Sequence, residues 1–313
     1  MPVFPDNFYN AYLRYFREKM IEAGFDITEG THSIVPVMLY DAKLAQEMSN
    51  KLLEELDIRL EDHGIEDSHF INSLRKIILH TPRMSGKLFF NQLFGGRNSK
   101  SIIGDLLAVI LNNSMATYKI AGPMVAIEKE IIKKICNLIP YPDSSGGTFP
   151  TGGSMSNFMA LIIARDKKDA SIKKDGIKSK LICYSSKNAH YSIDKNATFS
   201  GIGRKNAKKI NVNNKGEMIA KELEREVQND LNKGYIPFLV NATIGTTVMG
   251  AIDPIEEISK ICKKYKLWMH IDGSYLGTII FSDKYKYLIN GIENSDSFCL
   301  NAHKTLGTPL STS

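Results

Sequence analysis

The sequence lacks several features by which other classes of protein are recognised. Among its 313 residues, no apolar run is long enough to span a bilayer, and no basic, apolar and small-residue leader opens the chain. We therefore expect a cytoplasmic protein without a membrane partner. The four cysteines, Cys136, Cys183, Cys262 and Cys299, lie far apart in apolar stretches without a C-x-x-C pair. They are expected to be reduced core residues rather than disulfides or metal ligands.

Aromatic residues are also missing from the most basic part of the chain, residues 165–180, where lysines alternate with aspartates. A single-stranded nucleic acid needs aromatic side chains for base stacking, so a solvated helix end and loop is the favoured interpretation. The net charge of +6 is spread over the chain, and no nucleic-acid partner is expected. Gly201-Ile202-Gly203 lacks the third glycine of a dinucleotide-binding fingerprint.

What the sequence does contain, from about residue 123, is an alternation of helix and strand patterns. Pro123 fits the first position of an apolar-faced helix, and Asp253-Pro254-Ile255-Glu256 predicts an N-cap, a first-position proline and a capping-box glutamate. Strand-like runs are predicted at residues 181–184, 209–212, 236–241, 267–271 and 297–300. This order predicts an α/β fold with a mainly parallel sheet covered on both faces, and ligand binding beyond the carboxyl ends of the strands.

Two of these predicted strands end in polar segments, His270-Ile271-Asp272 and Asn301-Ala302-His303-Lys304. A lysine amine can form a Schiff base with the aldehyde of pyridoxal phosphate, and an aspartate can keep the pyridine nitrogen protonated. The alternative is two ordinary buried strands whose ends happen to be polar. We interpret His270 as a structural residue on the opposite strand face from Asp272.

Further segments occur in an order that resembles one family. They are Phe89–Leu93, Thr117–Ala121, Phe149–Asn157, Ala189–Ile193 and Ala242–Pro254, followed by the two strand ends. Together they resemble the group II pyridoxal phosphate-dependent amino-acid decarboxylases over residues 55–313. The resemblance implies a fold-type I, aspartate-aminotransferase-like large domain, a homodimer, and loss of the α-carboxylate of an amino acid as carbon dioxide.

The resemblance also assigns catalytic roles. It implies that Lys304 binds pyridoxal phosphate covalently as a Schiff base, that Asp272 pairs with the pyridine nitrogen, and that His190 stacks on the ring. The alternative for Lys304 is a surface lysine whose stem covers apolar residues. For Asp272 it is a structural aspartate at a strand end, and for His190 it is a polar histidine with ordinary hydrogen bonds. No metal is implied.

The remaining cofactor contacts implied by the resemblance are Gly153, Ser154, Thr243, Ser274, Asn301 and His303. Gly153 and Ser154 open a helix, whose N–H groups suit a phosphate dianion, although a plain glycine turn is the alternative. Ser274 stands where the family normally places an alanine against the ring, so we expect the ring contacts there to differ from the family pattern.

For the substrate, Asn91 and Gln92 lie where members that use acidic substrates contact the second carboxylate. A structural amide turn is the alternative for these two residues. Phe94 slightly favours an acidic or sulfinate substrate over an aromatic one. Other fold-type I reactions, namely α-oxoamine synthesis and transamination, remain alternatives to decarboxylation.

The two ends of the sequence differ from the family pattern. Residues 10–55 resemble part of the small domain of glycine C-acetyltransferase, and either a fused small-domain piece or a divergent decarboxylase N-terminus accounts for them. We predict a helix-strand-helix segment at 1–55, the helical N-terminal region of a decarboxylase at 56–122 and the large domain at 123–313. The family continues beyond the lysine through a mobile loop with a catalytic tyrosine and a small C-terminal domain. We therefore expect an incomplete large domain, with an inactive remnant that binds the cofactor as a further alternative.

Overall fold

The structure is a computed structural model that describes residues 47, 50, 51, 53, 54, 56, 63–81, 93–310 and 312. The chain divides into two compact units, Met1–Asn91 and Gln92–Ser313. In the first unit, the helix α1 (Asp67–His80) is described. The predicted segment at residues 1–55 lies almost wholly outside the described residues, and the boundaries at residues 55 and 122 stay predictions.

The second unit is an α/β domain in which helices precede and connect the strands. Its helices are α2 (Ser99–Leu111), α3 (Tyr118–Ala121), α4 (Pro123–Leu138), α5 (Gly153–Lys168), α6 (Ile172–Asp175), α7 (Ser192–Phe199), α8 (Ala220–Asn232), α9 (Ile255–Tyr265) and α10 (Ala302–Thr305). Its strands are β1 (Leu181–Ser186), β2 (Ala207–Ile210), β3 (Ile236–Thr243), β4 (Trp268–Gly273) and β5 (Ser297–Leu300).

The strands form one parallel sheet in the order β2-β1-β3-β4-β5. This confirms the predicted fold class and each predicted strand, with ends displaced by a few residues. All five carboxyl ends point to the same edge of the sheet because the strands are parallel. The polar segments that follow β3, β4 and β5 therefore meet at that edge.

Side chains alternate between two buried faces of the sheet, as the pleat of a strand requires. On one face, Tyr184, Val240 and Ile271 belong to an apolar cluster completed by residues of α8 and α9. On the other face, Leu181 and Cys183 pack with residues of α5 and α7. Helices on both faces explain why the strands are apolar throughout rather than in alternate positions.

Two predicted helix starts have different outcomes. The helix α4 begins at Pro123, as predicted. The prediction that Asp253 caps α9 is wrong, because Pro254 occupies the N-cap position and no side chain caps that helix. Asp253 is buried instead, and its carboxylate accepts hydrogen bonds from two backbone N–H groups of other segments. Among the described residues, no helix is long and apolar enough to cross a bilayer.

Candidate active site

A cavity of about 600 Å³ lies beyond the carboxyl ends of the strands. It is lined by the predicted cofactor-binding residues Gly153, Ser154, His190, Thr243, Asp272, Ser274, Asn301, His303 and Lys304. The fold thus brings together side chains that are distant in the sequence. Asn91 and Gln92, the predicted substrate contacts, lie outside the described residues, and their role stays a prediction.

Lys304 lies in α10, the short helix that directly follows β5. The backbone N–H of Gly95 donates to the carbonyl oxygen of Lys304 at 2.8 Å, which ties the lysine turn to a neighbouring segment. Burial lowers the pKa of Lys304, although the negative charge of Asp272 opposes this shift. A lowered pKa increases the fraction of neutral amine, which is the nucleophilic form.

Asp272 lies near the carboxyl end of β4 and is almost fully buried, with 4% of its surface exposed. Its carboxylate accepts hydrogen bonds from Asn157 Nδ2 at 2.8 Å and from the Ser274 backbone N–H at 3.1 Å. Burial opposes ionisation, but hydrogen bonds from Ser274 and Asn157 outweigh it, and the pKa of Asp272 lies below its ordinary value. The cavity therefore presents a buried anion that suits a protonated ring nitrogen.

His190 lies half-buried just before α7, on the wall of the cavity. Its Nδ1 accepts the backbone N–H of Ser192 at 3.2 Å, so the neutral ring carries its proton on Nε2. Burial lowers the pKa of His190 and favours this neutral form. A flat, neutral imidazole can stack against an aromatic ring while retaining one N–H donor.

The N-terminus of α5 forms another wall, and its first residue is Gly153. A Cβ atom at Gly153 would lie 2.8 Å from Asn301 Nδ2 and would also overlap the Ser274 hydroxyl, so any larger residue requires these two side chains to shift. Asn301 Oδ1 is buried, and the described part of the chain offers it no hydrogen-bond partner. The backbone N–H groups at the start of a helix are donors that suit a phosphate dianion, to which Asn301 can add only its Nδ2 donor because Oδ1 accepts.

His303 and Thr243 complete the lining from opposite sides. His303 Nδ1 hydrogen-bonds with the carbonyl oxygen of Thr312 at 3.0 Å, and burial lowers the pKa of this ring. Thr243, at the end of β3, donates its backbone N–H to Asp253 at 2.8 Å. Met218 donates to the other oxygen of Asp253, also at 2.8 Å. Asp253 thus fixes the end of β3, where Thr243, predicted to contact the cofactor, lies.

Ser274, at the position where the resemblance predicts an alanine, lines the cavity. Its Oγ lies 3.2 Å from the thiol sulfur of Cys299. The same thiol lies 3.4 Å from Asp272 Oδ1. Ser274 therefore lies close to the Asp272 carboxylate. The sequence did not predict this contact.

Sequence patterns did not identify Asn157 as a site residue, and they predicted the wrong strand face for His270. Asn157 lies inside α5, 2% exposed, and contacts Asp272 directly. Asparagine is a poor residue for a helix interior, and this was the signal that could have identified it. The prediction that His270 faces away from Asp272 is wrong, because residues two apart in a strand share a face. Both side chains hydrogen-bond with Asn157.

Known proteins share this arrangement of sequence and fold. A family model described as the pyridoxal-dependent decarboxylase conserved domain matches residues 50–313. The chain is 36% identical over 258 residues to the acidic amino acid decarboxylase GADL1 of Xenopus tropicalis, which covers 82% of this chain and 50% of that protein. It is 35% identical over 262 residues to human cysteine sulfinic acid decarboxylase, with 83% and 53% covered.

A solved structure agrees with the sequence comparisons. The crystal structure of mouse CSAD matches with a TM-score of 0.81 and 35% identity, over 83% of this chain and 56% of that one. The chain spans about half the length of the curated relatives it matches. These matches confirm the predicted resemblance, and the chain belongs to the pyridoxal-dependent decarboxylase family.

Proposed function

We propose that this chain binds pyridoxal phosphate covalently at Lys304 and forms the cofactor-binding part of an amino-acid decarboxylase, a carboxy-lyase. The observation that supports this best is the meeting of Lys304, Asp272 and His190 in one cavity with the N-terminus of α5. The family match over residues 50–313 gives independent support.

Each side chain in the cavity suits one part of the cofactor. Asp272 would hold a buried negative charge for the pyridine nitrogen, Gly153 and Ser154 would present the start of α5 to the phosphate, and the His190 ring would pack on the face of the cofactor. Asn301 and His303 would also contact the phosphate. When bound, pyridoxal phosphate supplies an electron-accepting ring that stabilises the negative charge left at the α-carbon after carbon dioxide departs.

Lys304 and His190 are the groups placed to move protons beside the substrate. The lowered pKa of Lys304 keeps a share of its amine neutral for bonding to the cofactor aldehyde. The same amine is suited to return the product amine to solution. His190 presents an Nε2–H group and can donate it to a substrate oxygen.

Reduction with borohydride tests the attachment site. The purified chain is incubated with pyridoxal phosphate, reduced, and digested for peptide mapping by mass spectrometry. We expect a visible absorption band that disappears on reduction, with the label on the peptide that contains Lys304. Lys304→Ala should lose the label, whereas Lys187→Ala, at an exposed lysine beyond β1, should retain it. A label on another peptide, or no label in excess cofactor, contradicts the proposal.

We further propose that the substrate carries a second acidic group, as a carboxylate or a sulfinate. The two relatives at 35–36% identity are named for acidic amino acids and cysteine sulfinic acid, which supports this choice. Release of carbon dioxide is measured from cysteine sulfinate, aspartate, glutamate and an aromatic amino acid. The acidic substrates should react faster than the aromatic one. Keto acid formation or consumption of coenzyme A in place of carbon dioxide release would favour the other fold-type I reactions.

We also propose that the protein forms a homodimer. The helix α2 exposes several large apolar side chains, among them Ile103 at 58%, Val109 at 73% and Ile110 at 75%. Apolar surface of this kind usually marks an interaction site. Light scattering should give the mass of two copies, and Val109→Asp should favour the single copy, whereas Lys100→Ala at the exposed start of α2 should not. A wild-type monomer contradicts this proposal.

The state of the cysteines supports a reducing compartment, and we propose the cytoplasm. All four are free thiols, and Cys183, Cys262 and Cys299 are buried. Disulfides are usual in oxidising compartments and rare in the cytosol. Fractionation of the source cells, followed by detection with an antibody, checks the location. Recovery in a secreted or membrane fraction contradicts it.

A further inference from the structure

A row of polar side chains crosses the sheet beneath the proposed cofactor site. Ser185, Asn241, His270 and Ser297 stand opposite one another on β1, β3, β4 and β5. Partners in register on neighbouring strands point to the same face of the sheet. His270 and Asp272 also share this face, since they are two residues apart on β4.

Part of this row belongs to a continuous hydrogen-bonded chain. The Trp268 indole Nε1 donates to Ser297 Oγ at 2.8 Å, and Ser297 Oγ lies 2.9 Å from His270 Nδ1. His270 Nε2 lies 2.9 Å from Asn157 Oδ1. Asn157 Nδ2 donates to Asp272 Oδ2 at 2.8 Å. The chain therefore runs from an indole to the proposed partner of the pyridine nitrogen.

The two ends of the chain determine its direction. An indole N–H can only donate, so Ser297 accepts from Trp268 and has its own hydrogen left for His270 Nδ1. An ionised carboxylate can only accept, so the Asn157 NH₂ group must face Asp272. The remaining contact requires His270 Nε2–H to donate to Asn157 Oδ1. One arrangement of hydrogens satisfies every link, with a neutral His270 protonated on Nε2.

The surroundings of His270 support this assignment. The residue is 2% exposed, and burial lowers its pKa to about 4, so the ring is neutral at pH 7. Asn157 is also 2% exposed and makes a second donation, to Ser192 Oγ at 3.1 Å. Ser192 follows the His190 segment, so the Asn157 amide contacts both the carboxylate and the neighbourhood of the stacking histidine.

We propose that His270 is a positioning residue that, through Asn157, holds the Asp272 carboxylate in the orientation that receives the pyridine nitrogen. This inference rests on the proposed binding of pyridoxal phosphate. Without the Nε2–H donor, Asn157 Oδ1 keeps only the 3.4 Å contact with the Cys299 thiol, and the amide loses the partner that fixes its plane. The donation from Asn157 Nδ2 to Asp272 is then less well aligned, which weakens a hydrogen bond to a charged group.

His270→Leu and His270→Gln separate positioning from simple space filling. Leucine removes both ring nitrogens, whereas the glutamine amide can supply an N–H group near the position of Nε2. We expect His270→Leu to weaken equilibrium binding of pyridoxal phosphate about 10- to 150-fold, the equivalent of one hydrogen bond to a charged group. His270→Gln should restore most of this loss. Binding is followed by absorption and fluorescence titration.

Tyr184→Phe is a matched control for lost stability. Tyr184 is fully buried on the other face of the sheet, where its hydroxyl donates to Asp230 at 2.7 Å. Its removal costs a buried hydrogen bond away from the cavity, so cofactor affinity should not change. Equal affinities in wild type and His270→Leu overturn the inference. Equal losses in His270→Leu and Tyr184→Phe also overturn it, because the effect then follows stability alone.

Nitrogen-15 NMR of the histidine rings in the cofactor-free chain provides a test that does not depend on cofactor binding or on a foldable leucine variant. The His270 signals, assigned by their loss in His270→Gln, should show a protonated Nε2 and a bare Nδ1 at pH 7. An imidazolium or an Nδ1–H tautomer overturns the inference. Failure of the wild type to bind pyridoxal phosphate contradicts the proposed function instead, and leaves this tautomer measurement to decide the hydrogen-bonded chain.

Discussion

Gly153→Ala is the substitution that tests the geometry of the proposed phosphate site most directly. The added Cβ would lie 2.8 Å from Asn301 Nδ2 and would overlap the Ser274 hydroxyl. Both neighbours are buried, Asn301 at 3% and Ser274 at 9% exposed, and Ser274 Oγ contacts the Cys299 thiol at 3.2 Å. Gly153 has no positive φ angle, so the strain arises from contact rather than from backbone conformation.

The expected loss of stability follows from two opposing terms. Overfilling a closely packed site costs about 1–3 kcal/mol, and alanine in place of a helical glycine returns at most about 0.5–1 kcal/mol, which leaves a net loss of up to about 2.5 kcal/mol. The start of α5 must also shift away from Asn301 and Ser274. We therefore expect at least a tenfold weaker affinity for pyridoxal phosphate, which corresponds to about 1.4 kcal/mol.

Urea unfolding and cofactor titration measure the two effects. Gly104→Ala in α2 is the control, because a Cβ there would meet no atom within 4 Å. That variant should gain about 0.5–1 kcal/mol, as expected for an unobstructed helical position. Adding Ser274→Ala to Gly153→Ala should recover part of the loss, because it removes the overlapping oxygen. Wild-type stability and affinity in Gly153→Ala would refute the reasoning.

Three further predictions concern buried groups. Asp272→Asn should weaken pyridoxal phosphate binding by about 3–5 kcal/mol in a titration, since an amide leaves the pyridinium charge unpaired; equal affinity contradicts the assigned role. Burial raises the pKa of Asp253 to about 6, so its stabilising contribution is complete below pH 4 and is lost as the pH rises through 6. The unfolding free energy of the wild type minus that of Asp253→Asn should therefore fall by about 3 kcal/mol between pH 4 and pH 7. The prediction is contradicted if this difference is the same at both pH values. Burial raises the thiol pKa of all four cysteines, but Cys136 alone is only half-buried and should therefore react with a thiol reagent before Cys183, Cys262 and Cys299; the order is read by mass spectrometry, and early labelling of Cys299 would oppose it.

The sequence by itself predicted the parallel sheet and most of the cavity lining. Apolar strand runs and the proline that starts α4 are local signals, and they depend on short-range backbone and side-chain preferences. Lys304 and Asp272 were candidates because of their residue type at the ends of strands, and the family resemblance added their roles and that of Gly153 at the start of a helix. Because the carboxyl ends of parallel strands lie at one edge of the sheet, such residues come close together once the sheet forms.

Tertiary structure decided which partners the buried polar groups have. The contact between His270 and Asn157 joins residues 113 positions apart, and it exists because α5 lies on the β4 face that carries both His270 and Asp272. Asp253 matches a helix cap in sequence, yet its carboxylate bonds to Met218 and Thr243. A buried carboxylate requires donors from whichever segments surround it, and those segments become neighbours only when the sheet and its helices have assembled.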